Sequence, residues 1–323
     1  MNYKLKKISG DASFREFYRL QKGKKTSIIV QARREKFKNL ITFCVVNKIL
    51  TNNKIYAPKL IQNYYEDNII EITDLGKKSF YDLVIKKKNK LNNYKSLINL
   101  IIKLQNIKLK QTYRFGKFKV NFETYTLKNL HKESDIFFDW YLKYSKYSSK
   151  KIKIKKIKNI LKKELNDIYK KIYFRNNVFV HRDFHASNIM VYKNNFGLID
   201  SQDAILGNPL YDVASLIDDV RIKLSSDIQE KLLNYYYRNS KLKKEKYENL
   251  KNDFEILSVQ RNLKILGIFV RLYKRDSKSN YLKYLPHTWS LIEKRLKNPV
   301  FENLNYLFKK YLKIKTLKKI SNL

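Results

Sequence analysis

Cysteine, glycine, proline and acidic side chains are all scarce in this chain of 323 residues. One cysteine, Cys44, excludes an internal disulfide and a cysteine-based zinc site, and points to a reducing compartment. With 7 glycines and 4 prolines, the sequence carries few breaks, so each one counts as punctuation. No stretch approaches the roughly 18 uncharged apolar residues of a membrane helix. The opening MNYKLKKISGDASF has no apolar run of signal-peptide length. A cytoplasmic protein with no membrane partner is therefore expected. Acidic residues number 29 against 70 Lys+Arg, a net charge of +41. That excess raises a nucleic-acid or anionic surface as a partner. The lysines, however, are spread along the whole chain. Lys, Asn, Ile, Tyr and Phe are abundant together, a mixture that A/T-rich codons impose on any protein. A basic footprint should be clustered, so no specific nucleic-acid partner is expected.

What is present is a large apolar fraction, 43% of residues, enough for two lobes around sizeable cores. The first part reads as strand-rich. Phe14–Leu20 partly alternates, 27–32 is a short β-branched run, and 68–72 is another strand closed by Thr73-Asp74-Leu75-Gly76. Residues 36–50 carry apolar side chains at helical spacing. Gly76 suits a hinge. Beyond it, Leu97 to Leu104, the Lys-rich stretch 151–173, and most of the chain from Asp212 read as helices. No internal repeat is visible. The expected organisation is an N-lobe at 1–76 and a C-lobe at 77–323, in an α+β chain, with a monomer as the default state.

The most informative stretch is HRDFHASNIMVYKNNFGLID at 181–200. It holds His181, Asp183 and Asn188 in the spacing H-x-D-x-x-x-x-N, and an apolar run then delivers Asp200. A short buried strand, Val178–Val180, leads in. Two further short strands, 189–192 and 196–199, flank a turn at Asn194-Asn195. This pattern suits phosphoryl transfer, which needs an aligned hydroxyl and cancelled negative charge more than covalent help. Asp183, on a loop leaving a strand, is the expected catalytic carboxylate that meets the acceptor hydroxyl. Asn188 and Asp200 supply a neutral and an anionic oxygen to Mg2+, which takes few protein ligands and leaves the rest to water and phosphate. His181 and His185 are expected to brace the loop.

These residues, with GLIDSQDAILGNPLYDVASLI, resemble the aminoglycoside-phosphotransferase superfamily of small-molecule kinases. Within it, the chain is similar to the bacterial anomeric kinases of N-acetylmuramate and N-acetylglucosamine. Three stretches carry the narrower match: Ser9 to Arg15, Glu133 to Tyr141, and Gln260 to Phe269 with Arg275-Asp276 and Tyr281 to Pro286 beyond. The resemblance implies a two-lobed protein-kinase-like fold with a small β-rich N-lobe and a larger helical C-lobe. It implies ATP with Mg2+ as cofactors and transfer to the anomeric hydroxyl of an amino sugar in cell-wall sugar recycling. It also assigns Ser9, Gly10, Asp11, Ala12 and Ser13 to a loop over the ATP phosphates, and Glu71 and Thr73 to the adenine hinge. Glu133, Asp139 and Asp203 fall to the sugar, and Asp212 to support of the catalytic loop.

On residue pattern alone, Ser9–Ser13 is equally an ordinary turn. Ile136, Phe137, Trp140 and Tyr141 are equally core at helical spacing. One departure from the wider kinase pattern stands out. The strand at 28–32 has no lysine to grip the nucleotide phosphates, and Arg33 is the candidate in its place, with Gln31 and Arg34 beside it. Two other readings remain: the same chemistry on an aminoglycoside, choline or other sugar, and a non-catalytic basic binding protein on a kinase-like scaffold.

Overall fold

The structure is a computed structural model that describes residues 3–8, 15–32, 38–145 and 151–312. The chain divides into two compact units, Met1–Glu123 with Val178–Leu206, and Thr124–Asn177 with Gly207–Leu323.

The first unit is built on five antiparallel strands: β1 (Tyr3–Ile8), β2 (Glu16–Lys22), β3 (Lys25–Gln31), β4 (Leu60–Tyr64) and β5 (Ile69–Thr73), in the order β1-β2-β3-β5-β4. Helix α1 (Lys38–Asn52) lies against the sheet. Its Leu40, Phe43 and Cys44 pack with Val30, Ala32, Ile70 and Ile72. Each such fully buried aliphatic or aromatic side chain contributes about 1.5–3 kcal/mol relative to exposure. The strands expected at 27–32 and 68–72 and the helix expected at 36–50 are therefore β3, β5 and α1, each within a few residues. β1 and β4 carry no inward apolar alternation. β1 is exposed along its length except for half-buried Ile8, and β4 is mostly exposed. They are the two edge strands, held by backbone pairing on one side only, and their apolar side chains stay mostly exposed. Cys44 is buried, and burial pushes its thiol up to about 11 against a hydrogen bond from the Tyr65 hydroxyl. It is an inert core thiol.

The same unit continues through α2 (Phe80–Val84), α3 (Leu91–Gln105) and the hairpin β6 (Thr112–Phe115) and β7 (Phe118–Asn121). Helix α2 starts with a reciprocal cap: the Ser79 hydroxyl accepts from the Asp82 N–H, and the Asp82 carboxylate accepts from the Ser79 N–H. The unit is completed by β8 (Val178–Val180), β9 (Ile189–Tyr192), β10 (Asn195–Leu198) and the first two residues of β11 (Ile205–Gly207).

The second unit is helical: α4 (Leu127–Ile136), a π-helical turn (Phe137–Leu142), α5 (Lys151–Tyr169), α6 (Leu210–Ile217), α7 (Ser226–Asn239), α8 (Tyr247–Asp276), α9 (Leu285–Arg295) and α10 (Glu302–Leu312). The Lys-rich helix expected at 151–173 ends at Tyr169. Beyond it the Asp253 carboxylate, on α8, accepts the N–H groups of Tyr173 and Phe174 at 2.8 and 2.9 Å, holding that segment out of the helix. Within the part expected to be helical from Asp212 onward, residues 260–272 form the centre of the 30-residue α8, with Leu263, Leu266, Phe269, Val270 and Leu272 buried. Gly267 has a specific task there. A Cβ at this position would lie 2.3 Å from the Ile136 carbonyl oxygen, so glycine lets α8 touch the backbone entering the π-helical turn.

Candidate active site

The loop at 181–188 and the strand end at Asp200 are shaped by backbone constraints before any side chain acts. β8 brings buried Phe179 and Val180 up to the loop. Arg182 then adopts φ +72°, and Asp200 adopts φ +62°. A non-glycine residue in this region costs of order 1–3 kcal/mol, and such strain collects where geometry is dictated by function. The loop closes on itself: the His185 N–H donates to the Asp183 carbonyl at 3.0 Å, and the Asn188 N–H to the His185 carbonyl at 2.9 Å. The Asn188 Nδ2 donates to the same Asp183 carbonyl at 3.1 Å. That bond fixes which way the amide faces, and makes Oδ1 the atom available to a cation.

The hairpin β9–β10 carries the chain to Asp200. Its turn falls on Lys193 and Asn194, at φ +49° and +57°, with Asn195 already paired to Tyr192. The turn lies one residue earlier than the Asn194-Asn195 turn expected from sequence. A two-residue loop with both residues at positive φ matches the strand twist, and this leaves Asn195 in the ladder. The hairpin is anchored. The Val191 N–H donates to the Lys78 carbonyl at 2.8 Å, the Leu198 N–H to the Tyr56 carbonyl at 2.8 Å, and the Ile199 N–H to the Asn188 carbonyl at 3.1 Å. A Cβ on Gly197 would stand 2.9 Å from Leu75 Cδ1 and 3.2 Å from Tyr56 Cβ, so any larger residue would make Leu75 and Tyr56 shift.

The electrostatics of Asp200 follow from this placement. Burial pushes its carboxyl up to about 6, and the negative charge of Asp183 adds to the rise. A hydrogen bond from Gln202 and the charge of Arg15 pull the other way. The two acids are therefore electrostatic neighbours that repel, an arrangement a cation would relieve. Gln202 Nε2 donates to Asp200 Oδ1 at 2.9 Å and to Asp203 Oδ2 at 3.3 Å. Ser201, between them, is buried and donates its hydroxyl to Asn47 Oδ1 on α1 at 2.6 Å.

The structure groups Asp183, Asn188, Asp200 and Asp203. His181 is buried edge-on to Phe184, and His185 Nε2 lies 3.3 Å from Asn188 Nδ2. Glu71 and Thr73 sit on β5 with their side chains engaged by the sheet: the Ser27 hydroxyl donates to Glu71 Oε1 at 2.5 Å, and the Lys59 N–H to Thr73 Oγ1 at 2.9 Å. Just past them Asp74 accepts Arg19 Nε at 2.6 Å and the Gly76 N–H at 2.8 Å. Burial raises its carboxyl, but the bonds from Arg19, Gly76 and Thr26 outweigh it and hold the group below the usual range. Ser9, Gly10, Asp11, Ala12, Ser13 and Arg33 lie outside the described residues.

Glu133, Asp139 and Asp212 belong to the helical unit. Glu133 is buried and already well bonded. It accepts the hydroxyls of Tyr125 and Tyr211 at 2.8 and 2.9 Å and Gln260 Nε2 at 3.1 Å, and it pairs with Lys264 Nζ at 3.1 Å. Asp139 is exposed and paired with Lys158 Nζ at 2.5 Å. Asp212 is buried on α6. Phe137 and Tyr141 are core, with Tyr141 accepting from Trp289 Nε1 at 2.8 Å. The stretches 133–141 and 260–269 thus pack against each other, through Glu133 with Gln260 and Gly267 with Ile136.

Sequence reasoning missed Gln202, Arg15 and the Arg19–Asp74 clamp. Arg15 closes the Ser9 to Arg15 stretch and is buried. By strand register it stands level with Ala32, since Glu16 pairs with Gln31. The signal was an arginine in line with the lysine-free strand end.

The family model described as "Phosphotransferase enzyme family" matches residues 4–245. The chain is similar to the N-acetylmuramate/N-acetylglucosamine kinase of Pseudomonas aeruginosa, with 25% identity over 289 residues, covering 88% of this chain and 81% of that one. It is similar to the kinase of the same name from Neisseria meningitidis serogroup B, at 23% identity, covering 86% and 81%. Among solved structures, the ADP-bound aminoglycoside phosphotransferase APH(2'')-Ib superposes with a TM-score of 0.59 at 14% identity, covering 92% of this chain and 94% of that one. That likeness shows a kinase-like α+β fold, with an antiparallel sheet followed by a largely helical remainder.

Proposed function

This chain belongs to the phosphotransferase enzyme family and is a small-molecule kinase, and from that premise we propose that it phosphorylates the anomeric hydroxyl of N-acetylmuramate or N-acetylglucosamine. ATP is the donor, and the product is a sugar 1-phosphate of the kind formed in cell-wall sugar recycling. The non-catalytic reading raised by the net charge of +41 falls with the kinase assignment.

The observation that carries the proposal is the grouping of Asp183, Asn188 and Asp200 on one strained and anchored framework. Asp183 orients the acceptor hydroxyl and takes its proton as the oxygen attacks the terminal phosphate. Asn188 Oδ1 and Asp200 fit magnesium: both are hard oxygen donors, the amide is turned by the Asp183 carbonyl, and Asp200 sits in a field that favours a cation. Magnesium, when bound, would neutralise charge on the nucleotide phosphates. Arg15 is the cation we assign to the task of the missing strand lysine, because it is buried at the same sheet end and its charge acts on Asp200. The lobe boundary at Gly76, the nucleotide loop Ser9–Ser13 and the adenine hinge at Glu71–Leu75 belong to the same proposal.

The test is Asp183→Asn. Turnover should fall by at least about a hundredfold, the low end for a lost general base, with an unchanged melting temperature. Near-wild-type turnover would remove Asp183 from the chemistry.

A further inference from the structure

Gln202 occupies a turn that cannot easily relax. Ser201 before it is tied to Asn47, and the Ala204 N–H donates to the Ser201 carbonyl at 3.1 Å across it. Its amide faces are unambiguous. The carboxylates of Asp200 and Asp203 only accept, so the –NH2 group must serve both, one hydrogen to each. That leaves Oε1 turned away from the acids, buried and, among the described residues, without a hydrogen-bond partner. A buried orphan acceptor costs about 1–3 kcal/mol. In a native site such an acceptor calls for a donor, which a bound water or a ligand supplies.

We propose that Gln202 is a positioning residue: its Nε2 holds the Asp200 carboxylate in place for the cation, and its Oε1 accepts a hydrogen bond from an O–H or N–H donor carried in by the ligands. The inference rests on reading Asp200 as a magnesium ligand. The donor is a group of the acceptor molecule or a water held by the cation. Outer-shell partners of metal ligands typically govern metal affinity by about 10–100-fold. The reach of Gln202 to Asp203 adds a second consequence: the exposed carboxylate is kept at a fixed distance from Asp200 instead of swinging into solvent.

The experiment is ADP binding by calorimetry, with and without magnesium and with no sugar present, for the wild type and Gln202→Met, which keeps the length and removes both polar atoms. Melting curves confirm that the variant is folded. ADP affinity without magnesium should match the wild type, and the gain on adding magnesium should shrink about tenfold or more. In the same variant, a raised acceptor KM at saturating magnesium-ATP assigns the Oε1 donor to the acceptor, whereas an unchanged KM assigns it to water on the cation. Both outcomes keep the positioning role. A natively folded variant whose ADP affinity gains as much from magnesium as the wild type overturns the proposal. Because the binding arm contains no sugar, a wrong acceptor leaves it untouched, and the two readings fail separately.

Discussion

Asp218, in the helical unit, receives Arg295 Nε at 2.9 Å, Arg295 Nη2 at 2.8 Å, Gln229 Nε2 at 3.0 Å and the Ser258 hydroxyl. Among the described residues Asp200, in the sheet unit, receives one amide N–H, sits on strained backbone and lies in the field of another carboxylate. Glu133 and Asp253 are built like Asp218, with several donors each. The difference separates two uses of the same chemical group. A saturated buried carboxylate organises its neighbours and has no lone pair to offer. An under-bonded one, held rigid and crowded by like charge, is ready for a cation or a proton.

The comparison can be broken from either side. Asp218→Ala should be the most damaging to stability, because it leaves the Arg295 guanidinium buried with the Glu255 carboxylate, at 3.6 Å, as its remaining acidic partner among the described residues. A loss of about 3–5 kcal/mol in urea unfolding is expected, and a loss under about 1 kcal/mol would show that the pair is dispensable. Asp200→Asn should do the opposite in the absence of magnesium and nucleotide. Its carboxyl titrates near 6 in the fold against 3.8 as a free group, so stability is lost as pH rises through that window. The asparagine variant should gain roughly 1–3 kcal/mol at pH 8 and nothing near pH 4. A gain that does not change with pH would contradict the crowded-carboxylate account.

Glu133→Gln tests where the border between the two uses lies. With Tyr125, Tyr211, Gln260 and Lys264 already around it, the variant should lose about 1–3 kcal/mol of stability and keep its sugar KM. A KM raised more than about tenfold with unchanged melting would return Glu133 to the sugar, as the sequence resemblance has it. Asp139→Ala should have the smallest effect. Its exposed pair with Lys158 is worth under about 1 kcal/mol, so a change in acceptor KM would stand out clearly against it.

The candidate site was legible in the sequence because its residues are local: Asp183, Asn188 and Asp200 lie within one short span, and β8, β9 and β10 announce themselves by apolar runs. Strands β3 and β5 and helix α1 were legible because each buries one face. β1 and β4 were hidden because these edge strands leave their apolar side chains mostly exposed and bury no continuous face, and Gln202 because its role depends on facing two acids at once. The aromatic stretch at Phe137–Tyr141 read equally as core and as sugar site. Its partner across the helical unit is Trp289, far away in sequence, so periodicity alone had no means of separating the two.

The central claim is that the under-bonded acids of this chain transfer phosphate to the anomeric oxygen of an amino sugar. Phosphorus NMR of the protein incubated with magnesium-ATP and N-acetylmuramate or N-acetylglucosamine reads that directly. Loss of the ATP terminal phosphate and a new sugar resonance coupled to the anomeric proton are expected. Phosphate transferred to another hydroxyl of these sugars, or ATP left intact with both, would contradict it.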